Sequence, residues 1–250
     1  MRIIRVKNRW EMSEKAAQVI IEKVKTHPFA VLGLATGGTP KGTYVNLIEN
    51  HQKEGTSYAG VRTVNLDEYV GLPPDHKNSY HHFMNKHLFR GLDLPEEQIF
   101  LPNGMADDLD AECRRYDALI DALGGIDLQL LGIGKNGHIG FNEPDTSFQT
   151  KTHVVELTHS TRKANARFFE NINEVPTHAI TMGIASILAS KEILLLASGK
   201  NKAEAMRRLW EEDVNEAFPA SALKMHEHVI VIADEDALSL VDRDRHSRAR

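Results

Sequence analysis

The sequence predicts an α/β fold: a single-domain, Rossmann-like open sheet, mostly parallel, with helices on both faces. Short apolar runs recur along the chain, and segments of helical periodicity lie between most of them. The runs occupy residues 30–35, 61–66, 128–133, 193–197 and 229–233. Because a strand that is covered on both faces is almost continuously apolar, these runs predict buried strands of a parallel sheet.

Two of the intervening segments have the apolar stripe of a helix that packs on a core. In the first, Met12, Ala16 and Ile20 share one face. In the second, Tyr116 and Ile120 repeat the pattern before a pair of glycines ends the helix. Both segments are therefore expected to cover the sheet.

Size and composition fit one domain. With 250 residues, 41% hydrophobic and 26% charged, the chain predicts a single α/β catalytic domain over residues 1–242 and a polar, frayed tail at 243–250. A net charge of -5 argues against nucleic acid as a partner, because phosphate backbones require a basic face. The single cysteine, Cys113, excludes an internal disulfide, and neither a signal peptide nor a membrane-spanning run is present. We expect a cytoplasmic protein without a membrane partner.

The first candidate site is the turn Thr36-Gly37-Gly38-Thr39, which follows the predicted strand 30–35 and precedes a helical segment. Thr39 suits the N-cap of that helix and Pro40 its first position. Glycines let the backbone approach a ligand, and the free N–H groups of a helix N-terminus favour an anion. By itself the motif fits a phosphate site and an ordinary strand-to-helix turn equally well.

The second candidate is a pair of adjacent acids, Asp67 and Glu68, which end the predicted strand 61–66. An acid at the carboxyl end of a parallel strand points toward the ligand crevice. The like charge of its neighbour and partial burial tend to raise its pKa, which suits a general base. A helix or turn cap is the other interpretation, and for an isolated Asp-Glu pair it is the better one.

The third candidate is the segment 132–144, GIGKNGHIGFNEP, which follows an apolar run and matches the dinucleotide fingerprint GxGxxG. A dinucleotide turn must open a helix, whereas Pro144 disfavours helix at Glu143. The loop then presents Asn136, His138 and Glu143, which suit a general base whose tautomer is fixed by a carboxylate, with an amide nearby. The polar stretch that follows, at about 145–173, predicts a mobile flap.

The remaining charged side chains give weaker signals. Arg167 and Lys202 lie on separate helical segments and are solvated surface charges unless an anion binds them. Other histidines form no zinc pattern, because no cysteine pair accompanies them and the HEH tripeptide is not HExxH. These are His81, His82, His87, His226 and His228. We therefore expect no metal.

Taken together, TGGTP, LDEYVGL and GIGKNGHIGFNEP, in this order and spacing, resemble the glucosamine-6-phosphate deaminases, also called glucosamine-6-phosphate isomerases. The likeness runs through nearly the whole chain and continues at 157–159, 164–169 and 199–203. The family converts glucosamine 6-phosphate and water to fructose 6-phosphate and ammonia in amino-sugar catabolism. The resemblance implies a small-molecule sugar-phosphate substrate and no cofactor.

The resemblance also implies roles for individual residues. Asp67 would remove the C2 proton of the opened sugar and return a proton at C1, through an enolamine. His138 would open the pyranose ring, Glu143 would orient and tune it, and Asn136 would complete that group. The phosphate would be held by Thr36, Gly37, Gly38, Thr39, Arg167 and Lys202.

Two departures from the family pattern carry expectations. Some members have Asp where this chain has Asn136, which predicts a lower or shifted pH optimum here. In allosterically activated hexameric members, Arg and Lys stand where this chain has His153 and Val155. We therefore expect little or no activation by N-acetylglucosamine 6-phosphate and disfavour an allosteric hexamer. A monomer and other homo-oligomers both stay open.

Three alternatives remain at the level of sequence. A 6-phosphogluconolactonase resembles this family in fold and has a related glycine–histidine loop, but should lack the NEP and DEYVG elements. A non-catalytic sugar-phosphate sensor would keep the phosphate set without needing Asp67, His138 and Glu143 together. A nicotinamide dehydrogenase would use the glycine fingerprint.

Overall fold

A computed structural model of the chain describes residues 1–158, 161–163, 166 and 169–241. The strands are β1 (Arg2–Val6), β2 (Val31–Leu34), β3 (Arg62–Asn65), β4 (Asp67–Tyr69), β5 (Ile99–Phe100), β6 (Leu128–Gly132), β7 (His153–Glu156), β8 (His178–Thr181), β9 (Ile193–Ala197) and β10 (Val229–Asp234). The α-helices are α1 (Arg9–Thr26), α2 (Lys41–Glu54), α3 (Tyr80–His87), α4 (Leu109–Ala122), α5 (Ile184–Leu188) and α6 (Ala203–Glu211). Short 3-10 turns include Lys200–Lys202 and Pro219–Met225.

The central sheet has seven strands in the order β1-β10-β9-β6-β2-β3-β5, and its neighbouring strands are all parallel. From β2 the chain proceeds outward to β3 and β5. It then returns to β6, on the other side of β2, and proceeds outward to β9 and β10. The strand order therefore reverses between β2 and β6, and such a switch point is where open α/β sheets bind their ligands.

Helices cover both faces of this sheet, so the predicted fold class is confirmed. Consecutive residues of β6 alternate between two apolar clusters: Leu131 packs on the face covered by Tyr116 of α4, and Leu130 on the face covered by Met12 of α1. Residues of β9 alternate in the same way. Burying each such leucine stabilises the fold by roughly 2 kcal/mol. The continuously apolar strands thus hold the switch point rigid from both sides.

The amino-terminal end of α2 differs from the prediction. We expected Thr39 as N-cap and Pro40 as the first helical residue, but the helix begins at Lys41 and Pro40 is the cap. The first helical hydrogen bond runs from the Tyr44 N–H to the Pro40 carbonyl, which moves the start by one residue. Because no side chain caps this helix, its first N–H groups remain available to an anion.

A second, three-stranded antiparallel sheet, β4-β8-β7, was not predicted. The strand expected over 61–66 ends at Asn65, and Asp67 begins β4, which pairs with β8. Leu66 joins the two sheets, because its N–H donates to Leu34 while its carbonyl accepts from Met182. The acidic pair therefore does not simply follow a parallel strand, as expected, but lies within the short strand that connects the sheets.

β7 lies inside the segment 145–173 that was predicted as a flap, and it pairs with β8 throughout its length. This part of the segment therefore belongs to the second sheet. The predicted tail at 243–250 lies outside the described residues. None of the helices in the described ranges is long and apolar enough to cross a membrane.

Candidate active site

A pocket of about 780 Å³ lies at the switch point between β2 and β6. Its lining brings together the site residues predicted from the sequence, apart from Arg167, which lies outside the described residues. They are Thr36, Gly37, Gly38, Thr39, Asp67, Asn136, His138, Glu143 and Lys202. Three motifs distant in sequence thus converge because the strands that precede them end at the same edge of the structure.

The two adjacent acids lie in different surroundings. Asp67 is buried and lines the pocket, whereas Glu68 is buried behind it and accepts the N–H groups of Tyr80 and His81 at the start of α3. Burial raises the pKa of Asp67 to about 8, and the nearby charge of Glu68 adds to the effect. The helix-cap interpretation of this pair therefore applies to Glu68, and the position of Asp67 in the pocket is compatible with the interpretation as a base.

The loop after β6 arranges three polar side chains in a chain of hydrogen bonds. The Asn136 amide donates to Glu143 Oε2 over 2.7 Å, and its Oδ1 lies 2.7 Å from His138 Nδ1. Because Oδ1 only accepts, Nδ1 carries the proton and Nε2 keeps its lone pair. Glu143 Oε2 itself is 3.7 Å from Nδ1, so the Asn136 amide connects the carboxylate to the imidazole. Burial lowers the pKa of His138, against an opposing effect of Glu143.

The glycines of this loop make room for side chains of the protein itself. A Cβ on Gly134 would lie 2.2 Å from the His138 ring, and one on Gly137 would lie 2.2 Å from the Phe218 ring. Gly137 also has a φ of +89°, which L side chains rarely adopt. The Gly134 N–H bonds to the His138 carbonyl, forming a turn rather than a helix. Glycine is therefore required at these two positions of the fingerprint because the His138 and Phe218 rings lie against the backbone.

Two cationic side chains contact the loops that line the pocket. Lys202 lines it and donates from Nζ to the Ile133 carbonyl over 2.6 Å; burial lowers its pKa, and Lys135 lowers it further. The Arg9 guanidinium does not line the pocket, but it donates to the Gly38 carbonyl of the glycine turn. Arg9 was not predicted as a site residue, because its contact with the turn depends on how α1 packs and leaves no local sequence signal.

Two further residues of the site were missed. Tyr80 lines the pocket and joins all three motifs: its hydroxyl bonds with those of Thr36 and Tyr69, and its ring lies nearly parallel to that of Phe141. Thr161 also lines the pocket and donates from its hydroxyl to Glu143 Oε1 over 2.8 Å. Thr161 could have been suspected because it lies between two stretches that carry the family likeness. Tyr80 had no such signal.

Two of the histidines that were rejected as metal ligands bind other groups. His81 Nδ1 lies 2.9 Å from Glu68, and His226 Nε2 lies 2.7 Å from the Ser190 carbonyl. Within the described ranges, no group of three or more His, Cys, Asp or Glu side chains is arranged to hold a metal ion.

Residues 9–232 match the family model described as glucosamine-6-phosphate isomerases/6-phosphogluconolactonase. The chain belongs to this family. The resemblance inferred from the motifs is therefore confirmed, and the matched range includes every residue that lines the pocket. Because the family model covers both isomerases and lactonases, we compared the chain with individual relatives of each kind.

Relatives named glucosamine-6-phosphate deaminase are similar over nearly their whole length. One from Geobacillus sp. (strain WCH70) is 62% identical, covering 98% of both chains. Glucosamine-6-phosphate deaminase 1 of Bacillus subtilis (strain 168) is 56% identical, covering 96% of this chain and 99% of its own. A solved structure described as a monomeric glucosamine-6-phosphate deaminase superposes with a TM-score of 0.94 at 56% identity, covering 96% of this chain and all of the other.

The lactonase branch is more distant. The 6-phosphogluconolactonase from Trypanosoma cruzi superposes with a TM-score of 0.77 at 20% identity, covering 96% of each chain. At this identity the likeness establishes a shared fold only.

Proposed function

We propose that this chain is an enzyme that converts glucosamine 6-phosphate and water to fructose 6-phosphate and ammonia. One observation carries the proposal: a buried carboxyl with a raised pKa, an oriented imidazole and an anion-binding turn line one pocket of about 780 Å³. Nearly full-length relatives at 62% and 56% identity are named for this activity. Each step of the reaction has a suitable group in the pocket.

His138 opens the sugar ring. Its Nε2 has a free lone pair, and burial lowers its pKa, so the imidazole is neutral at pH 7. Nε2 takes the proton of the C1 hydroxyl, the C1–O5 bond breaks, C1 becomes an aldehyde, and the same proton passes to O5. Glu143, acting through Asn136, stabilises the imidazolium that forms between the two transfers.

Asp67 then moves a proton between two carbons of the open sugar. The carboxylate takes the proton from C2 while the ammonium group of the substrate gives one to O1, which yields the neutral enolamine. Asp67 then returns its proton to C1, leaving a protonated imine at C2. Water hydrolyses the protonated imine to the ketone and an ammonium ion. With a pKa of about 8, roughly a tenth of Asp67 is ionised at pH 7 in the empty pocket. The ammonium group of the substrate raises this fraction, because an opposite charge favours the carboxylate.

The phosphate binds between the glycine turn and Lys202. Thr36, the two glycines and Thr39 precede a helix whose first N–H groups have no side-chain cap, which favours a dianion. Lys202 adds a cation whose burial makes it sensitive to a negative ligand. Arg167 joins this set by its match to the family motif. The phosphate thereby supplies binding energy that orients C1 and C2.

A direct assay tests the proposal. Purified protein is incubated with glucosamine 6-phosphate, and both ammonia and fructose 6-phosphate are measured. We expect equal amounts of the two products from the wild type and none from Asp67→Asn, which removes the base but keeps its shape. Folded wild-type protein that releases neither product would refute the proposal. Hydrolysis of 6-phosphogluconolactone without ammonia release would instead support the lactonase alternative.

We further propose that the protein is a cytoplasmic monomer with one catalytic domain and a flap over the pocket. A relative described as a monomer superposes with a TM-score of 0.94, which supports the monomeric state. For the flap, β7 provides a fixed end in the second sheet, and the Thr161 hydroxyl provides a contact with Glu143. Sedimentation velocity at several protein concentrations measures the oligomeric state, and a stable hexamer would contradict the proposal.

A further inference from the structure

Glu68 is the buried titratable group nearest to the proposed base that the reaction itself does not use. It is 1% exposed and does not line the pocket. A carboxylate in such a place is costly unless several donors satisfy it. Its surroundings therefore indicate what it does.

Three backbone N–H groups donate to the two oxygens of Glu68, and a histidine ring nitrogen lies beside them. Oε1 accepts from the backbone of Tyr69 over 2.8 Å and of Tyr80 over 2.9 Å. Oε2 accepts from the backbone of His81 over 3.0 Å and lies 2.9 Å from His81 Nδ1. Because these donors use both oxygens, the ionised form, which only accepts, suits the site. The amino-terminal end of α3 favours the same negative charge.

These bonds connect the proposed base to the wall of the pocket. Glu68 follows Asp67 on β4, and its bond to the Tyr80 N–H fixes the start of α3, from which the Tyr80 ring contacts Phe141. Ser79 completes the cap of α3 by accepting from the His82 N–H. A change at Glu68 therefore reaches Asp67 and Tyr80 together, although Glu68 itself does not line the pocket.

Among the residues that the structure describes, Glu68 is also the charge that raises the pKa of Asp67. The other titratable groups around Asp67 are tyrosines of β4, α2, α3 and α4, whose raised pKa values keep them neutral below pH 9. They are Tyr44, Tyr69, Tyr80 and Tyr116. His138 and Lys202 also line the pocket, but the charges that act on His138 are those of Glu143 and Lys202, and the charge that acts on Lys202 is that of Lys135.

We propose that Glu68 is a positioning residue: its carboxylate, held by the N–H groups at the start of α3, fixes β4 against α3 and keeps a negative charge beside Asp67. This inference rests on the proposed function, in which Asp67 takes the C2 proton. Burial alone would also strengthen the base, but Glu68 adds a fixed charge that neither solvent nor substrate displaces.

The test is Glu68→Gln, with Glu112→Gln as matched control. Glu112 is also a buried carboxylate that accepts a backbone N–H, from Asn103, but its charge is not among those that shift the pKa of Asp67. We expect Glu68→Gln to lower the midpoint of the Asp67 titration by about one pH unit. Its kcat at the pH plateau should fall about threefold, because a weaker base transfers the proton more slowly. Glu112→Gln should leave both quantities unchanged.

The midpoint is measured by ¹³C NMR of proteins labelled at the aspartate carboxyl carbon, with Asp67→Asn identifying the signal. Because this titration requires no turnover, it tests Glu68 even in a protein that releases no ammonia. An unchanged midpoint in folded Glu68→Gln, or an equal shift in Glu112→Gln, overturns the proposal. If Glu68→Gln does not fold, His81→Leu carries the test. It removes one contact of Glu68 and keeps its charge, so the midpoint should stay within about 0.3 pH units of the wild type, and a fall of about one unit overturns the proposal.

Discussion

Replacing Asp67 by Asn should stabilise the protein relative to the wild type, by an amount that increases with pH. Folding raises the pKa of this carboxyl from 3.8 to about 8, so between these values the folded protein binds one proton more than the unfolded chain. The free energy of unfolding then falls by about 1.4 kcal/mol per pH unit. Asparagine does not titrate. The variant should therefore gain about 4 kcal/mol over the wild type between pH 4 and pH 7, with the gain levelling off above pH 8.

Urea unfolding at several pH values between 4.5 and 8.5 measures this difference, and a gain of 4 kcal/mol corresponds to a Tm increase of about 10 °C. Asp127→Asn is the control of opposite sign. Burial raises the pKa of Asp127, but hydrogen bonds from Lys191 and the Val31 N–H outweigh it and lower the pKa overall. That variant should be less stable than the wild type at neutral pH and equal to it in acid. A gain for Asp67→Asn that does not change with pH would refute the reasoning.

Three further predictions concern the loop after β6 and the surface of β7. Asn136→Asp places a carboxylate beside His138 Nδ1, so the imidazole pKa and the pH–rate profile should move upward; an unchanged profile counts against this role. Gly137→Ala should lower the free energy of unfolding in urea by roughly 2–5 kcal/mol, because Gly137 has a positive φ and its Cβ would meet the Phe218 ring. Gly132→Ala, whose Cβ would meet nothing within 4 Å, should lower it by less than about 1 kcal/mol, and equal losses would contradict the steric argument. His153 and Val155 lie on β7 where activated family members have Arg and Lys, so the rate should depend hyperbolically on substrate concentration and be unaffected by N-acetylglucosamine 6-phosphate. A sigmoidal rate curve that this effector abolishes would contradict the prediction.

The central sheet could be predicted because its signal is local. Strands buried on both faces are apolar at every position, as in β9, and a run of this kind is visible without knowledge of its neighbours. The second sheet gives no such signal. β4 is three residues long and begins with two acids, and its pairing with β8 depends on the turn of the chain at Leu66. Tertiary context alone therefore makes Asp67 the start of a strand rather than the end of one.

The same distinction separates the site residues that could be predicted from those that could not. Asp67, His138 and the glycine turn follow strands that end at one edge, so their positions along the chain already imply their meeting. Tyr80 reaches the same pocket from the start of one helix, and Arg9 contacts the glycine turn from the start of another, and both contacts depend on helix packing. Sequence patterns encode which strands end together more reliably than which helix ends lie nearby.

The fingerprint match after β6 illustrates why a glycine pattern cannot identify a ligand by itself. A glycine is required wherever another group must approach the backbone, and the pattern does not say which group. In a dinucleotide site that group is a pyrophosphate, whereas here the His138 ring occupies the space beside Gly134 and the Phe218 ring that beside Gly137. What distinguishes the two cases is the continuation: a helix would direct N–H groups at a phosphate, while the turn closed by the His138 carbonyl holds an imidazole in place. The residues after the last glycine therefore carry the functional information.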